Sequence, residues 1–343
     1  MKDIFDPYYR YEQMPFVFTT HADPVFNIPG WKYPEHGWRA KKQKLDPPKG
    51  TAPTVSFAIF DEHCLYCHVF EIILVFYTVW RDFFPQAKVR RIYWGEGSKL
   101  KALEAQGNLI PSIFEAIFPS VEIIYETNPE PHDDPIVFME RMKSLGGYGK
   151  CLECMVDRIQ PHARDFRDLI FKAADTTPKG FPTKREEIKI LYSKRASNVF
   201  VHRNFTPNLE NDLLNYMDTC GKLTLLDFSS LTWQEQVRLA CQFDILIGVH
   251  GNNLTNLLWL PEHGQVIEFF PDDKYNCFYQ YFAEALNIGW HGLDGDKVYS
   301  KGYRLPPFGM IGNTNGCDVT KELCKLSIRR AFEPFIQAFN QKG

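Results

Sequence analysis

The sequence predicts an α/β protein of two β/α units, each a parallel sheet with helices wound against it. Three observations carry this expectation. From Val55 onward, short apolar runs alternate with helical patterns, which is the mark of a parallel sheet. The alternation pauses at a Pro/Gly/polar stretch, AADTTPKGFPTKREE (173–187), and restarts more clearly after it. The 343 residues are enough for two ordinary domains.

Residues 1–50 are rich in Tyr, Pro and Lys and lack periodicity, so an irregular arm is expected there. An amino-terminal unit is expected over 51–172. In it, VSFAIF (55–60) reads as a buried strand. YCHVFEIILVFYTVW (66–80) is apolar on nearly all sides, which predicts a buried helix. VRRIYW (89–94) reads as a strand, SKLKALEA (98–105) as the start of a helix, and VEIIYE (121–126) as a further strand. The 173–187 stretch has linker composition.

A carboxy-terminal, doubly wound unit is expected over 188–325. IKILYS (188–193), LTLLDF (223–228), DILIGV (244–249) and QVIEFF (265–270) are its strands. TPNLENDLLNYM (206–217) is a helix opened by Thr206 and Pro207. LTWQEQVRLACQF (231–243) is a second, with Thr232 and Glu235 spaced as a capping box. LTNLLWL (254–260) is expected as a third. A final helix is expected over 326–343.

Composition removes several classes of function. A hydrophobic content of 44% with 24% charged residues fits a soluble globular chain. A net charge of −3 without a Lys/Arg block argues against a nucleic-acid partner. The amino terminus has no apolar signal region, and the longest apolar stretch, Val69–Val79, is interrupted by Glu71. No membrane segment is expected. The nine cysteines are odd in number and favour reduced thiols in a cytosol-like compartment. Two CxxC pairs, Cys64/Cys67 and Cys151/Cys154, lie about 80 residues apart, against roughly 15–20 in a compact zinc ribbon. Buried or incidental thiols outrank a zinc site, and no metal is expected.

The chemistry concentrates where DILIGV meets its polar loop. Gly248 and Gly251 let the chain turn and let a ligand approach the backbone. Asn252 and Asn253 are good helix caps, and the free N–H groups of a helix start suit a phosphate. His250 and Thr255 can add donors. Arg195 and Arg203 follow the strand 188–193 toward the same edge, where guanidinium groups pair with phosphate oxygens. Glu268 ends the next strand, placed for the hydroxyls of a ribose. A helix cap with a turn glycine is the plain alternative.

DILIGVHGNNLTNLLWLPEHGQVIEFFP closely resembles the signature of glycosyltransferase family 61, roughly D-hydrophobic-GxHGAGLTN, then LPxG, then IE-hydrophobic-P. LTWQEQVRLACQFDILIG and ILYSKRASNVFVHRN resemble the segments that precede it in that family. The similarity covers about Ile188–Pro271. Asn252-Asn253 replaces the usual Ala-Gly, and CLYCHVFE carries Cys64 where the family has Asn.

The resemblance implies a GT-B-like fold, two Rossmann-like lobes with a cleft between them, and inverting, metal-independent transfer from a UDP-sugar to a hydroxyl of a glycan or glycoprotein. No cofactor beyond that substrate is implied. Xylose and N-acetylglucosamine are the donors in view, with xylose slightly preferred. The implied donor site comprises Arg195, Arg203, Ser229, His250, Gly251, Asn252, Asn253, Thr255, Asn256 and Glu268. The base for the acceptor hydroxyl stays open among Glu71, His68 and Asp61. Asp294-Gly-Asp296 reads as a turn rather than a metal-binding pair. Two other functions fit the same scaffold: a catalytically degenerate UDP/glycan-binding protein, and a nucleotide-sugar epimerase. A cytoplasmic enzyme of bacterial or large-DNA-virus type is expected, with a truncated secretory-pathway enzyme as the alternative.

Overall fold

The computed structural model describes residues 16–19, 54–60, 66–94, 109–124, 136–140, 150–194, 207–270, 278–294, 297–300, 303–304 and 317–341. The chain divides into two units, Met1–Phe166 and Arg167–Gly343. Each carries its own largely parallel sheet, as the alternation of strand and helix patterns predicts.

The amino-terminal sheet has five strands: β1 (Phe16–Thr19), β2 (Thr54–Phe60), β3 (Lys88–Trp94), β4 (Glu122–Ile124) and β5 (Ile136–Glu140). Their order is β1-β5-β2-β3-β4. β2 runs parallel to β3 and β5, and β3 to β4, while β1 pairs antiparallel with β5. β1 falls in the stretch expected to be irregular. Four extended residues at a sheet edge leave no periodicity to read.

Helix α1 (Tyr66–Phe83) supplies the core of this unit. Phe70, Ile73, Leu74, Val75, Phe76, Tyr77 and Val79 are all buried, as its all-round apolar pattern requires. Phe114 and Phe118, on and just after α2 (Leu109–Ile117), pack beside Phe76 and Tyr77. The expected helix start at 98–105 lies outside the described residues.

Helix α3 (Lys150–Ala173) leads into the carboxy-terminal unit. Seven strands follow: β6 (Lys189–Ser193), β7 (Lys222–Leu226), β8 (Ile245–Val249), β9 (Gln265–Phe270), β10 (Gly289–Asp294), β11 (Lys297–Ser300) and β12 (Tyr303–Arg304). Their order is β12-β11-β10-β9-β8-β6-β7. All pairings from β7 through β10 are parallel, and the β10-β11-β12 edge is antiparallel. From β6 the chain first moves outward to β7, then crosses to β8 on the other side. The topological switch therefore lies between β6 and β8, where open parallel sheets take ligands at their carboxyl ends.

Helices α4 (Pro207–Cys220), α5 (Trp233–Ala240), α6 (Phe278–Ala285) and α7 (Cys317–Asn340) complete the unit. The α5 capping box forms as its spacing predicts: Glu235 N–H donates to Thr232 Oγ1, and Thr232 N–H donates to Glu235 Oε2. The 173–187 segment is tied to the sheet. The Lys179 ammonium pairs with buried Asp244, which also accepts from Lys189 N–H and bonds to His263. The final helix begins at Cys317 and contributes Cys324, Ile328, Ala331, Phe332 and Phe335 to the core. Among the described residues, no helix is long and apolar enough to cross a membrane.

One element differs in kind from expectation. Residues Asn252–Trp259 form a 3-10 helix, not an α-helix. Leu254, Leu257 and Leu260 are all buried at a spacing of three, the period that eclipses side chains in a 3-10 helix. A short apolar run cannot separate this period from 3.6.

Candidate functional site

Four strands end at one edge of the carboxy-terminal sheet, and residues at these ends build the candidate site. Ser193, Gly248, Glu268 and Gly292 lie side by side in register on β6, β8, β9 and β10. A side chain at Gly248 would press on Ser193 Cβ at 3.3 Å and on Leu254 Cδ2 at 3.2 Å. The bare backbone at Gly248 therefore lets the 3-10 helix settle against the switch point.

The loop after β8 begins with His250, whose N–H continues the ladder to the Phe269 carbonyl at 2.8 Å. Gly251 follows with φ 153° and ψ 178°, a region that glycine alone occupies without strain. The first bond inside the 3-10 helix runs from Leu254 N–H to the Gly251 carbonyl. The N–H groups of Asn252 and Asn253 thus precede the helix ladder, as at any helix start.

Three side-chain links hold this helix in place. Asn253 Nδ2 donates to the Lys194 carbonyl at the end of β6, at 3.4 Å. Asn256 Nδ2 donates to Gln236 Oε1 at 3.0 Å, and Gln236 Nε2 donates to the Phe228 and Leu231 carbonyls. The loop after β7, the start of α5 and the 3-10 helix are joined in this way. At the other end, the buried Arg167 guanidinium donates to the Leu260 carbonyl. Burial lowers its pKa to about 10, against the pull of Glu262 and Asp168.

His250 is the best-defined polar side chain of the site. Its Nδ1 lies 2.5 Å from Glu268 Oε1. Trp290 Nε1–H donates to the other Glu268 oxygen at 2.9 Å. Glu268 is fully buried, whereas the His250 side chain is 20% exposed. Phe270 stacks on the imidazole at 5.4 Å and Tyr279 meets it edge-on at 5.5 Å. Glu268 was expected to face a ribose. Both its oxygens instead serve partners inside the protein, so its geometry favours holding His250.

The remaining expected residues fall as follows. Thr255 and Asn256 are fully buried on the 3-10 helix, and the Thr255 hydroxyl has no hydrogen-bond partner among the described residues. Ser229 is exposed on a turn after β7, its N–H donating to Asp227. Arg195 and Arg203 lie outside the described residues. Asp61 also lies outside them. For His68 the description extends to its backbone place in the first turn of α1. Glu71 is buried in α1 of the amino-terminal unit. The CxxC side chains lie outside the described residues. Asp294 pairs with Lys297 between antiparallel β10 and β11, and Gly295 and Asp296 lie outside the described residues. Gln236, Trp290 and Ser193 were not among the expected site residues. Gln236 stands in the EQ pair of the α5 segment, and that was its one signal. Trp290 carried none, because its contact depends on strand register.

The fold and this edge define a Rossmann-like α/β protein with a glycine-containing loop at its switch point. The family profile of Glycosyltransferase 61 matches residues 76–267, more than half of the 343 residues. The chain belongs to this family. Similar proteins include the EGF domain-specific O-linked N-acetylglucosamine transferases of Gallus gallus, 33% identical over 73 residues, and of Canis lupus familiaris, 32% identical over 73 residues. The similarity covers 20% of this chain and 14% of each relative's length.

Proposed function

We propose that the chain is an inverting glycosyltransferase. In this reading it binds a UDP-sugar at the carboxyl edge of β6, β8 and β9 and passes the sugar to a hydroxyl of a glycan or glycoprotein. The observation that carries it is the loop His250–Asn253. A glycine at φ 153° brings bare backbone to a helix start, beside a histidine braced from below. As the donor bond breaks, negative charge collects on the leaving diphosphate. Backbone N–H groups, Lys194 and the guanidinium groups of Arg195 and Arg203 are the complement of that charge.

The same donor set argues for metal-free transfer. A divalent ion needs free oxygens, whereas Glu268, a carboxylate beside the loop, has both oxygens engaged by His250 and Trp290. A GT-B arrangement, with the donor on the carboxy-terminal unit and the acceptor base on the other, completes the proposal. Glu71 is the preferred base, because an acidic group buried among apolar side chains is a suitable proton acceptor for a hydroxyl; His68 and Asp61 are the alternatives. The relatives' name favours N-acetylglucosamine over xylose as the donor sugar.

Thermal unfolding with UDP, UDP-GlcNAc and UDP-xylose, each with and without EDTA, tests the donor site. The expected outcome is a UDP-dependent rise in Tm that EDTA leaves unchanged. A rise abolished by EDTA would refute metal-free binding, and no rise with any uridine nucleotide would refute the donor site itself. The replacement of Ala-Gly by Asn252-Asn253 favours one second reading, a UDP-binding protein without transfer. Slow release of UDP from a bound UDP-sugar would exclude it.

A further inference from the structure

Trp290 is absent from the donor residues that the sequence points to, yet its indole bonds to Glu268 beneath His250. It stands on β10, which pairs with β9 so that Gly292 lies opposite Glu268. The Trp290 ring crosses the bare backbone of Gly292: a side chain there would strike the indole, and also Phe270 at 3.2 Å. On the other side, Glu268 lies opposite Gly248. Glu268 thus rises between two glycines on neighbouring strands, with room for one aromatic ring to reach it. Trp290 is 1% exposed and Glu268 is fully buried, so neither meets a ligand directly.

The hydrogen bonding has a direction. An indole N–H can only donate, so Glu268 Oε2 accepts. With the carboxylate held as an acceptor there, Oε1 accepts in turn from His250, which places that ring's hydrogen on Nδ1. In histidines the partner of one ring nitrogen decides the role of the other. Phe270 and Tyr279 cover the ring itself, and the His250 backbone is fixed to the Phe269 carbonyl. The imidazole is therefore constrained in plane, in position and in tautomer, with its Nε2 edge turned away from the carboxylate.

We propose that Trp290 is a positioning residue for the transfer reaction: through Glu268 it locks His250 with Nδ1–H inward and the Nε2 lone pair toward the donor site, as an acceptor for a substrate hydroxyl. The inference deepens the donor-site reading and rests on it for its kinetic consequence. Trp290→Phe keeps an aromatic ring on β10 and removes the indole N–H donor. Glu268→Gln keeps the shape but offers a single oxygen, which cannot accept from both neighbours.

Two measurements on the full chain test this. The first is the nitrogen-15 NMR signature of His250, assigned by its loss in His250→Gln. The wild-type protein is expected to show the Nδ1–H form, and Trp290→Phe a mixture of tautomers. An unchanged Nδ1–H form in Trp290→Phe overturns the proposal. The second is a double-mutant cycle on kcat and KM with the donor that the wild type turns over. Trp290→Phe is expected to lower kcat about 10- to 100-fold, the scale on which a slightly misplaced group acts, with KM changed less than threefold. In the Glu268→Gln background the same substitution is expected to cost less than twofold, because groups that act as a unit are non-additive. Independent, multiplying losses overturn the proposal, as does a loss confined to KM. If Trp290→Phe does not fold, Glu268→Gln alone decides by the NMR signature: retention of a single Nδ1–H form there counts against the lock. A wild type that binds no uridine nucleotide refutes the donor site, while the NMR result still judges the lock.

Discussion

At the scale of single residues, the signature segment serves two separate ends of the sheet. Asp244 opens it at the amino end of β8, where its carboxylate is fully buried and meets Lys179, His263 and the Lys189 N–H. This cluster closes the underside of the unit and touches no residue of the loop His250–Asn253. Removing one partner of a buried charge cluster leaves the others uncompensated, at about 3–5 kcal/mol. Asp244→Ala is therefore expected to lower unfolding stability by that order, measured by urea titration. A loss under about 1 kcal/mol would remove Asp244 from this role. Gly251 belongs to the opposite end. Its φ of 153° costs a side-chain-bearing residue about 1–3 kcal/mol, and a methyl group there would crowd a ligand on the backbone. Gly251→Ala is expected to lower Tm modestly and to weaken UDP binding at least tenfold by calorimetry. Unchanged UDP affinity would separate the loop from the ligand.

At the scale of elements, helix α5 was readable from its cap alone. Thr232 and Glu235 satisfy each other's backbone donors. The backbone and side-chain bonds from Thr232 also lower the Glu235 pKa. A carboxyl group lowered in this way stabilises the fold above its unfolded value, near 4.3–4.5, and the contribution disappears as pH falls through the lower, folded value. Thr232→Ala is expected to cost about 1 kcal/mol at neutral pH through the lost cap. The Tm gap between variant and parent should narrow below about pH 4, as Glu235 gains its proton. A gap constant from pH 7 to 3 would contradict the capping box. Other elements left weaker traces. β10 reads GWHGLD, and its two glycines dilute the strand signal. They are there for packing: Gly289 makes room for the Gln265 side chain and Gly292 for the Trp290 ring. The 3-10 helix was legible as a buried helical run but not in its period, since Leu254, Leu257, Leu258 and Leu260 satisfy either spacing. In the site, His250 and Gly251 were legible from the loop chemistry. The partnership of Glu268 with His250 and Trp290 was not, because it depends on which strands become neighbours across the sheet.

At the scale of the whole molecule, the two units differ in how their sheets are completed. The amino-terminal sheet ends on a four-residue strand from the first 20 residues of the chain. The carboxy-terminal sheet is closed by the last helix. α7 packs against α4, β9 and β10, and its buried side chains share one core with Ile190, Tyr192, Leu213, Ile245 and Ile267. The sequence places that helix after the strands, which invites reading it as an appendage. Its packing makes it a structural wall of the unit that holds the candidate site. Phe335 tests the difference. It is fully buried, contacts Phe332 and Phe181, and meets His263 edge-on at 5.9 Å. Its removal therefore opens a cavity beside the Asp244 cluster, at the end of the sheet away from His250. A buried Phe→Ala change costs about 3–5 kcal/mol, a large part of the 5–15 kcal/mol that a typical domain holds. Phe335→Ala is expected to lower the unfolding free energy of the carboxy-terminal unit by that amount, measured by urea titration. UDP binding at low temperature should persist in the folded fraction, because the loop after β8 is untouched. A loss below about 1 kcal/mol would show that α7 is dispensable to this core. Loss of UDP binding in fully folded protein would show instead that the helix reaches the site through the sheet.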